Sequence, residues 1–209
     1  MVKLFFLISI VALTVSCSQE AENLPYLGNH TEETKDGKTI IKRYFEVPYF
    51  NMVNQEGVAV TNETFKGKIY IADFIFLRCP TICPVMNAEL KRVHDRFKDD
   101  KDIVFVSHTI DPENDSISVL KTYADHLGVK ADKWHFLHGD KHQTYDLAEK
   151  GYFAQAYDDA EAPGGYAHSG GFILVDQNRH IRGVYNGTDT EDVNRLIKEI
   201  VILQRENQK

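Results

Sequence analysis

No basic stripe runs through this chain. Lysine and arginine number 24 against 31 aspartates and glutamates, giving a formal net charge of −7 and a pI of about 5.7. A surface built to grip a polyanion is therefore excluded, and no nucleic-acid partner is expected. Also missing is an apolar run of about 20 residues, the length a spanning helix needs. There is no internal repeat, and no low-complexity segment beyond residues 18–40. Cysteine is scarce, with three in 209 residues, at positions 17, 79 and 83. What remains is a chain 43% apolar, long enough for one domain with flanking segments and a sizeable core.

The N-terminus reads MVKLFFLISIVALTVSC. One lysine, Lys3, precedes an apolar run from Leu4 to Val15, and small residues close the stretch. That is the layout of a secretory signal peptide over residues 1–16. Cys17, followed at once by Ser18-Gln19-Glu20, resembles the lipidated first residue of a bacterial lipoprotein, although Thr14 stands where such sites prefer Leu. Residues 17–43 are expected to be a lipid-anchored flexible tether, polar with scattered Gly and Pro. The domain is expected to begin near Tyr44 and to occupy 44–209, outside the cytoplasm on the periplasmic side of the envelope. If Cys17 carries lipid, two cysteines are left in an oxidising compartment.

Short apolar runs then alternate with helical patterns. Lys68–Leu77 and Ile103–Ile110 read as buried strands, and Trp134–Leu137 as a shorter one. Apolar positions Val85, Met86, Leu90, Val93 and Phe97 predict a helix over Pro84–Phe97. A second helix ends at Leu127, capped by Asp115 or Ser116 and stopped by Gly128. A third runs over Lys141–Lys150. Phe172–Asp176 and Ile181–Tyr185 read as a hairpin, and Thr190–Gln204 as a closing helix with Glu191 and Asp192 in its first turn. The order predicts an α/β fold with a mixed central sheet flanked by helices. A two-cysteine motif after the first long strand makes this the thioredoxin-like arrangement.

That motif is RCPTICPVM, residues 78–86. In a regular helix, Cys79 and Cys83 would have Cβ atoms about 5–6 Å apart, wider than the roughly 3.5–4.5 Å a disulfide needs. Pro84 disfavours the α region at Cys83 and suits the first position of the following helix. Cys83 is thus expected at the helix N-cap, with Cys79 in the loop before it. Helix N-termini favour thiolate, the form that binds metal and exchanges disulfides, and Arg78 adds to this if it turns toward Cys79. The bland alternatives are a fixed staple or two buried thiols.

Two thiolates suit Cu(I), or contribute to a Zn site that needs four ligands. Histidine supplies the further candidates. His94 and His126 fall within helices and His108 in a strand. His135, His138 and His142 cluster around a strand, but at no metal-binding spacing. His168 stands apart, in GGYAHSGGF before a late buried strand, with Gly164, Gly165, Gly170 and Gly171 around it.

These residues resemble the Sco/SenC family of copper-binding, thioredoxin-like proteins over roughly residues 45–205. The likeness rests on Cys79-Pro80-Thr81-Ile82-Cys83-Pro84, the strand before it, Thr109-Ile110-Asp111-Pro112, and His168 lying 85 residues beyond Cys83. Phe172–Asp176 and Tyr185-Asn186-Gly187 add to it. The resemblance implies that Cys79, Cys83 and His168 bind one copper ion, Cu(I) or Cu(II). It also implies a membrane-tethered chaperone that helps assemble the copper centre of cytochrome c oxidase. The expected partner is that enzyme's copper-bearing subunit or another periplasmic cuproprotein.

Asp73 interrupts the first strand six residues before Cys79, a spacing at which thioredoxins carry a proton-relaying acid. A buried carboxylate without a partner has a raised pKa; pairing with a nearby Lys or Tyr is the bland expectation. If Asp73 faces the cysteines, the rival reading gains weight: a thiol–disulfide oxidoreductase with Cys79 and Cys83 as its redox pair and no obligate metal. Met86 falls in the helical apolar pattern and is expected in the core. A peroxidase reading, from Thr81 beside Cys79, lacks the Thr-x-x-Cys order of peroxiredoxins.

Overall fold

A computed structural model describes residues 23–206. The expected signal peptide and Cys17 lie outside the described residues. Among those described, no helix is long and apolar enough to cross a membrane.

In chain order, a hairpin of β1 (Thr31–Lys35) and β2 (Lys38–Arg43) is followed by a shorter one of β3 (Asn51–Val53) and β4 (Ala59–Thr61). A 3-10 turn, Asn62–Phe65, leads into β5 (Ile69–Ile75). Next come α1 (Cys83–Phe97), β6 (Ile103–Thr109), α2 (Ile117–Leu127), β7 (Trp134–Leu137) and α3 (Lys141–Asp146). The chain continues through a π turn, Leu147–Gly151, to β8 (Ala156–Asp158), β9 (Tyr166–His168), β10 (Gly171–Val175), β11 (Ile181–Asn186) and α4 (Thr190–Glu206).

The main sheet has the order β11-β10-β5-β6-β7. β5, β6 and β7 run parallel, while β10 is antiparallel to both β5 and β11. This is the mixed sheet that the element order predicts. All seven residues of β5 and of β6 are buried, as parallel strands covered on both faces must be. On one face Ile71, Ile75 and Phe105 pack against Met86, Leu90 and Val93 of α1, Leu120 of α2 and Leu196 and Ile200 of α4. On the other, Tyr70, Phe74 and Val106 meet Val47, Phe50, Met52 and the Leu147–Ala148 turn after α3. Each fully buried side chain of this size contributes about 1.5–3 kcal/mol.

Local signals hold with small differences. Ser116, not Asp115, caps α2, and Gly128 closes it in the left-handed region at φ 67°. Asp115 is buried instead and accepts from the Leu77 N–H and the Thr109 hydroxyl. In α1 the stripe Met86, Leu90, Val93 and Phe97 is buried, whereas Val85 is exposed. Val85 lies about 100° round the helix from Met86 and misses the sheet.

The larger difference lies before Tyr44, within the stretch expected to be a free tether. Leu24 is buried in the core. The Leu27 N–H donates to the Ile181 carbonyl at 2.8 Å, and β1–β2 forms a ladder. The anchor is Arg182, itself buried. It donates to the carbonyls of Leu24 (2.7 Å) and Pro25 (3.0 Å), and pairs with Glu206 (2.6 Å) and Asp176 (3.2 Å). A polar sequence concealed this because the docking uses backbone groups and two isolated leucines, Leu24 and Leu27.

Removing one partner of such a buried ionic cluster costs about 3–5 kcal/mol. Arg182→Ala should lower the unfolding free energy by about that much in urea denaturation, and should speed amide exchange at Leu27. Wild-type exchange at Leu27 in the variant would show that the segment docks without the arginine.

Candidate metal centre

β5 delivers its chain to the site. Beyond Ile75 the ladder to β6 ends with Ile110 N–H donating to the Ile75 carbonyl at 2.9 Å. Phe76, still buried in the core, Leu77 and Arg78 carry the chain off the sheet in a turn closed by Cys79 N–H donating to the Phe76 carbonyl at 3.2 Å. Ile82 is the N-cap of α1, in αR conformation, and makes no side-chain cap bond. Cys83 is therefore the first residue of the helix rather than its expected N-cap. Pro84 then stands at the second helical position, where its missing N–H costs no intrahelical bond, and its steric preference for an extended Cys83 is overridden.

This one-residue difference splits the two thiols. Burial alone would raise the pKa of Cys79. The Cys83 and Thr81 backbone N–H groups, together with the Thr81 hydroxyl (Oγ1 3.6 Å from Sγ), outweigh it and hold the thiol below its ordinary value. Cys83 moves the opposite way. Burial pushes its thiol well up, and the Cys79 sulfur adds to this. The expectation that the helix start favours thiolate thus applies to Cys79, toward which the first-turn N–H points. Arg78 does not contribute, because its guanidinium turns to Asp111, 2.8 Å away.

His168 ends a short strand of its own, β9, just before β10. β9 pairs with β8 in a separate two-stranded ladder, which brings the ring over the cysteine turn. Gly164 permits the approach. It has φ 87°, and a Cβ there would stand 2.7 Å from the Phe76 ring. His168 Nε2 lies 3.4 Å from Cys83 Sγ, and its ring meets Phe76 edge-on at 5.6 Å. Burial lowers its pKa, against the Ser169 and Phe74 backbones, so the ring is neutral at pH 7 with a lone pair available. Its Nδ1 has no well-formed hydrogen bond among the described residues.

The ligand atoms of Cys79, Cys83 and His168 all lie within 4.8 Å of one another and could hold a metal ion. Both cysteines are free. Among the described residues no other group of three His, Cys, Asp or Glu side chains does this. The cluster at 135, 138 and 142 is dispersed. His135 faces Asn54 at 3.5 Å, His138 faces the Pro112 carbonyl at 3.1 Å, and His142 is exposed. Met86 is fully buried in the core, as its spacing implies.

Asp73 is fully buried, on the β5 face shared with Ile71 and Ile75. Its partner is neither Lys nor Tyr. Oδ1 accepts from the Ser107 hydroxyl at 2.5 Å, Ser107 in turn accepts from Trp134 Nε1 at 2.9 Å, and Oδ2 has no partner among the described residues. Burial, only partly opposed by Ser107, raises its pKa to about 7. Its charge is one of the influences that raise Cys83.

The SCO1/SenC family model matches residues 39–202. The chain belongs to the SCO1/SenC family. It is 31% identical over 157 residues to the SCO1 protein homolog of Bacillus subtilis, covering 75% of this chain and 81% of that one. Among solved structures it is similar to a SCO1/SenC family lipoprotein from Bacillus anthracis, with TM-score 0.69 and 26% identity over 76% of this chain and 95% of that one. BsSco, described as a member of the Sco family of cytochrome c oxidase assembly proteins with a disulfide switch, gives TM-score 0.63 and 32% identity over 74% and 92%. Arabidopsis thaliana ScoI with copper bound shares the fold, with TM-score 0.65 and 24% identity over 78% and 99%.

Two outcomes follow from the titrating groups. With limiting iodoacetamide near pH 8, Cys79 should be alkylated ahead of Cys83 in peptide mass spectrometry; equal labelling would contradict the split. An acid whose pKa is higher folded than unfolded stabilises below its unfolded pKa and loses that stabilisation as pH rises through the folded value. The Asp73 contribution should therefore fade between about pH 4 and 7. Between pH 5 and 8, Asp73→Asn should gain on the wild type by on the order of 2–3 kcal/mol in urea denaturation.

Proposed function

We propose that the protein binds one copper ion through Cys79, Cys83 and His168 and hands it to a recipient cuproprotein, the copper-bearing subunit of cytochrome c oxidase or another outside the cytoplasm. The observation that carries this reading is the convergence of two sulfurs and one imidazole nitrogen within 4.8 Å. Thiolates are soft donors that suit Cu(I), and an imidazole extends the set to Cu(II). Three donors leave a position for a ligand from the recipient, so transfer can proceed by ligand exchange without release of free ion. Cys83 must lose its proton on binding, so uptake releases protons and strengthens with pH. A lipid on Cys17 would hold the domain at the membrane; the relative named as a lipoprotein supports that reading.

A second reading, thiol–disulfide exchange with a partner protein, is favoured by one observation: Cys79 is held low while Cys83 is held high. Cys79 is then the attacking thiolate and Cys83 the resolving thiol. Asp73, with its pKa of about 7, is the candidate proton relay.

Titration of the reduced full chain separates the two. Copper chaperoning requires one copper per chain, loss of tight Cu(I) binding in Cys79→Ala and in Cys83→Ala, and Cu(II) affinity at least about tenfold weaker in His168→Ala. An unchanged Cu(II) spectrum in His168→Ala removes that residue from the site. Absence of copper uptake, with a reduction potential near those of reducing thioredoxins, assigns the thiols to disulfide reduction.

A further inference from the structure

The two halves of the site reach it from segments far apart in sequence, and one carboxylate touches both. Asp111 is fully buried at the corner between β6 and α2. Its Oδ2 accepts from Arg78 Nη2 at 2.8 Å and Nε at 3.3 Å. Its Oδ1 accepts from the Tyr166 hydroxyl at 2.8 Å, and Asn114 Nδ2 donates to both oxygens, at 2.8 and 3.1 Å. Burial pushes Asp111 up, but the donors from Arg78, Asn114 and Tyr166 hold it below the ordinary carboxylate range, so it is ionised at neutral pH.

Arg78 immediately precedes Cys79. Tyr166 lies two residues before His168 on β9, so both side chains project from one face of that strand. Their rings meet the same Phe76, at 5.1 and 5.6 Å. β9 is not part of the main sheet; its ladder to β8 has three residue pairs. Ala156, opposite His168 in that ladder, is buried in the core, while the polar fastenings at Asp158 are peripheral: it pairs with Lys141 at 2.7 Å and accepts from Tyr145 at 3.1 Å, with its side chain largely exposed. The Tyr166–Asp111 bond is a part-buried side-chain tie only two residues from the imidazole.

The geometry points to Asp111 and Tyr166 as positioning residues that set how closely His168 stands to the two thiols. This rests on the copper reading above and adds a selectivity to it. Two thiolates satisfy Cu(I) without the ring, whereas Cu(II) draws on the imidazole. The clamp therefore governs Cu(II) retention and leaves Cu(I) binding nearly untouched.

The test is Tyr166→Phe in the full chain, which keeps the ring against Phe76 and removes only the hydroxyl. Expected are a Cu(II) dissociation constant raised about tenfold, altered Cu(II) electron paramagnetic resonance, and a Cu(I) affinity within about twofold of wild type. In the metal-free chain the His168 ring resonances should broaden. Asp111→Asn should move each readout the same way and further. Wild-type Cu(II) affinity and spectrum in Tyr166→Phe overturn the clamp alone. So does an equal loss of Cu(I) and Cu(II) affinity, which marks a general structural role. Failure of the unaltered chain to take up either ion overturns the copper reading and the clamp together.

Discussion

The position of both thiols depends on β5, a strand hydrogen-bonded on each side. β6 holds it in parallel register from Ile69 opposite Ile103 to Ile75 opposite Thr109, and β10 holds its middle through Ala72 opposite Ile173. With every residue buried, a one-residue slip would drive Asp73 and the isoleucines to the wrong face. The register is thereby fixed, and with it the point where the chain leaves the sheet. From there three residues lead to Cys79, and the first turn of α1 turns its free N–H groups back toward that sulfur. The sheet thus sets the place of the site, and the helix start sets its chemistry.

Two buried aspartates show how strongly local donors decide charge. Asp73 has one hydroxyl donor and an oxygen without a partner, and its pKa rises to about 7. Asp111 has a guanidinium, an amide and a phenol, and stays low. Both side chains are closed to solvent, but Asp73 lies deep in the central sheet whereas Asp111 sits at a loop corner beneath the half-exposed Arg78; depth and the number and charge of donors together set the ionisation. The first acid can take a proton near neutral pH, while the second serves as a fixed anion joining two segments.

Much of the architecture was legible because hydrophobic period and punctuation agree. Buried strands, the Ser116 and Gly128 boundaries and the β10–β11 hairpin all follow from local pattern. The three ligand candidates were legible by residue type, proline placement and family likeness. Other features depend on contacts between distant residues and leave no local trace. The opposite shifts of Cys79 and Cys83 depend on which sulfur an N–H faces, and Ile82 rather than Cys83 as N-cap decides that. Ser107 as the partner of Asp73, and Arg78 turned to Asp111 rather than to Cys79, are matters of side-chain direction across the fold. β1–β2 shows no apolar alternation, since β1 is exposed throughout, so nothing in its sequence announced a ladder.

The docking of Leu24 and Leu27 bears on orientation. Leu27 pairs with Ile181 at the start of β11, and the antiparallel steps through β10 put that point at the beginning of β5. The cysteine turn follows the far end of β5, about 20 Å along the sheet at roughly 3.3 Å per residue. The docked N-terminal segment and the sulfur-bearing turn therefore occupy opposite ends of the sheet, so the chain enters the domain at the pole remote from the thiols and leaves their side of the molecule unobstructed by it.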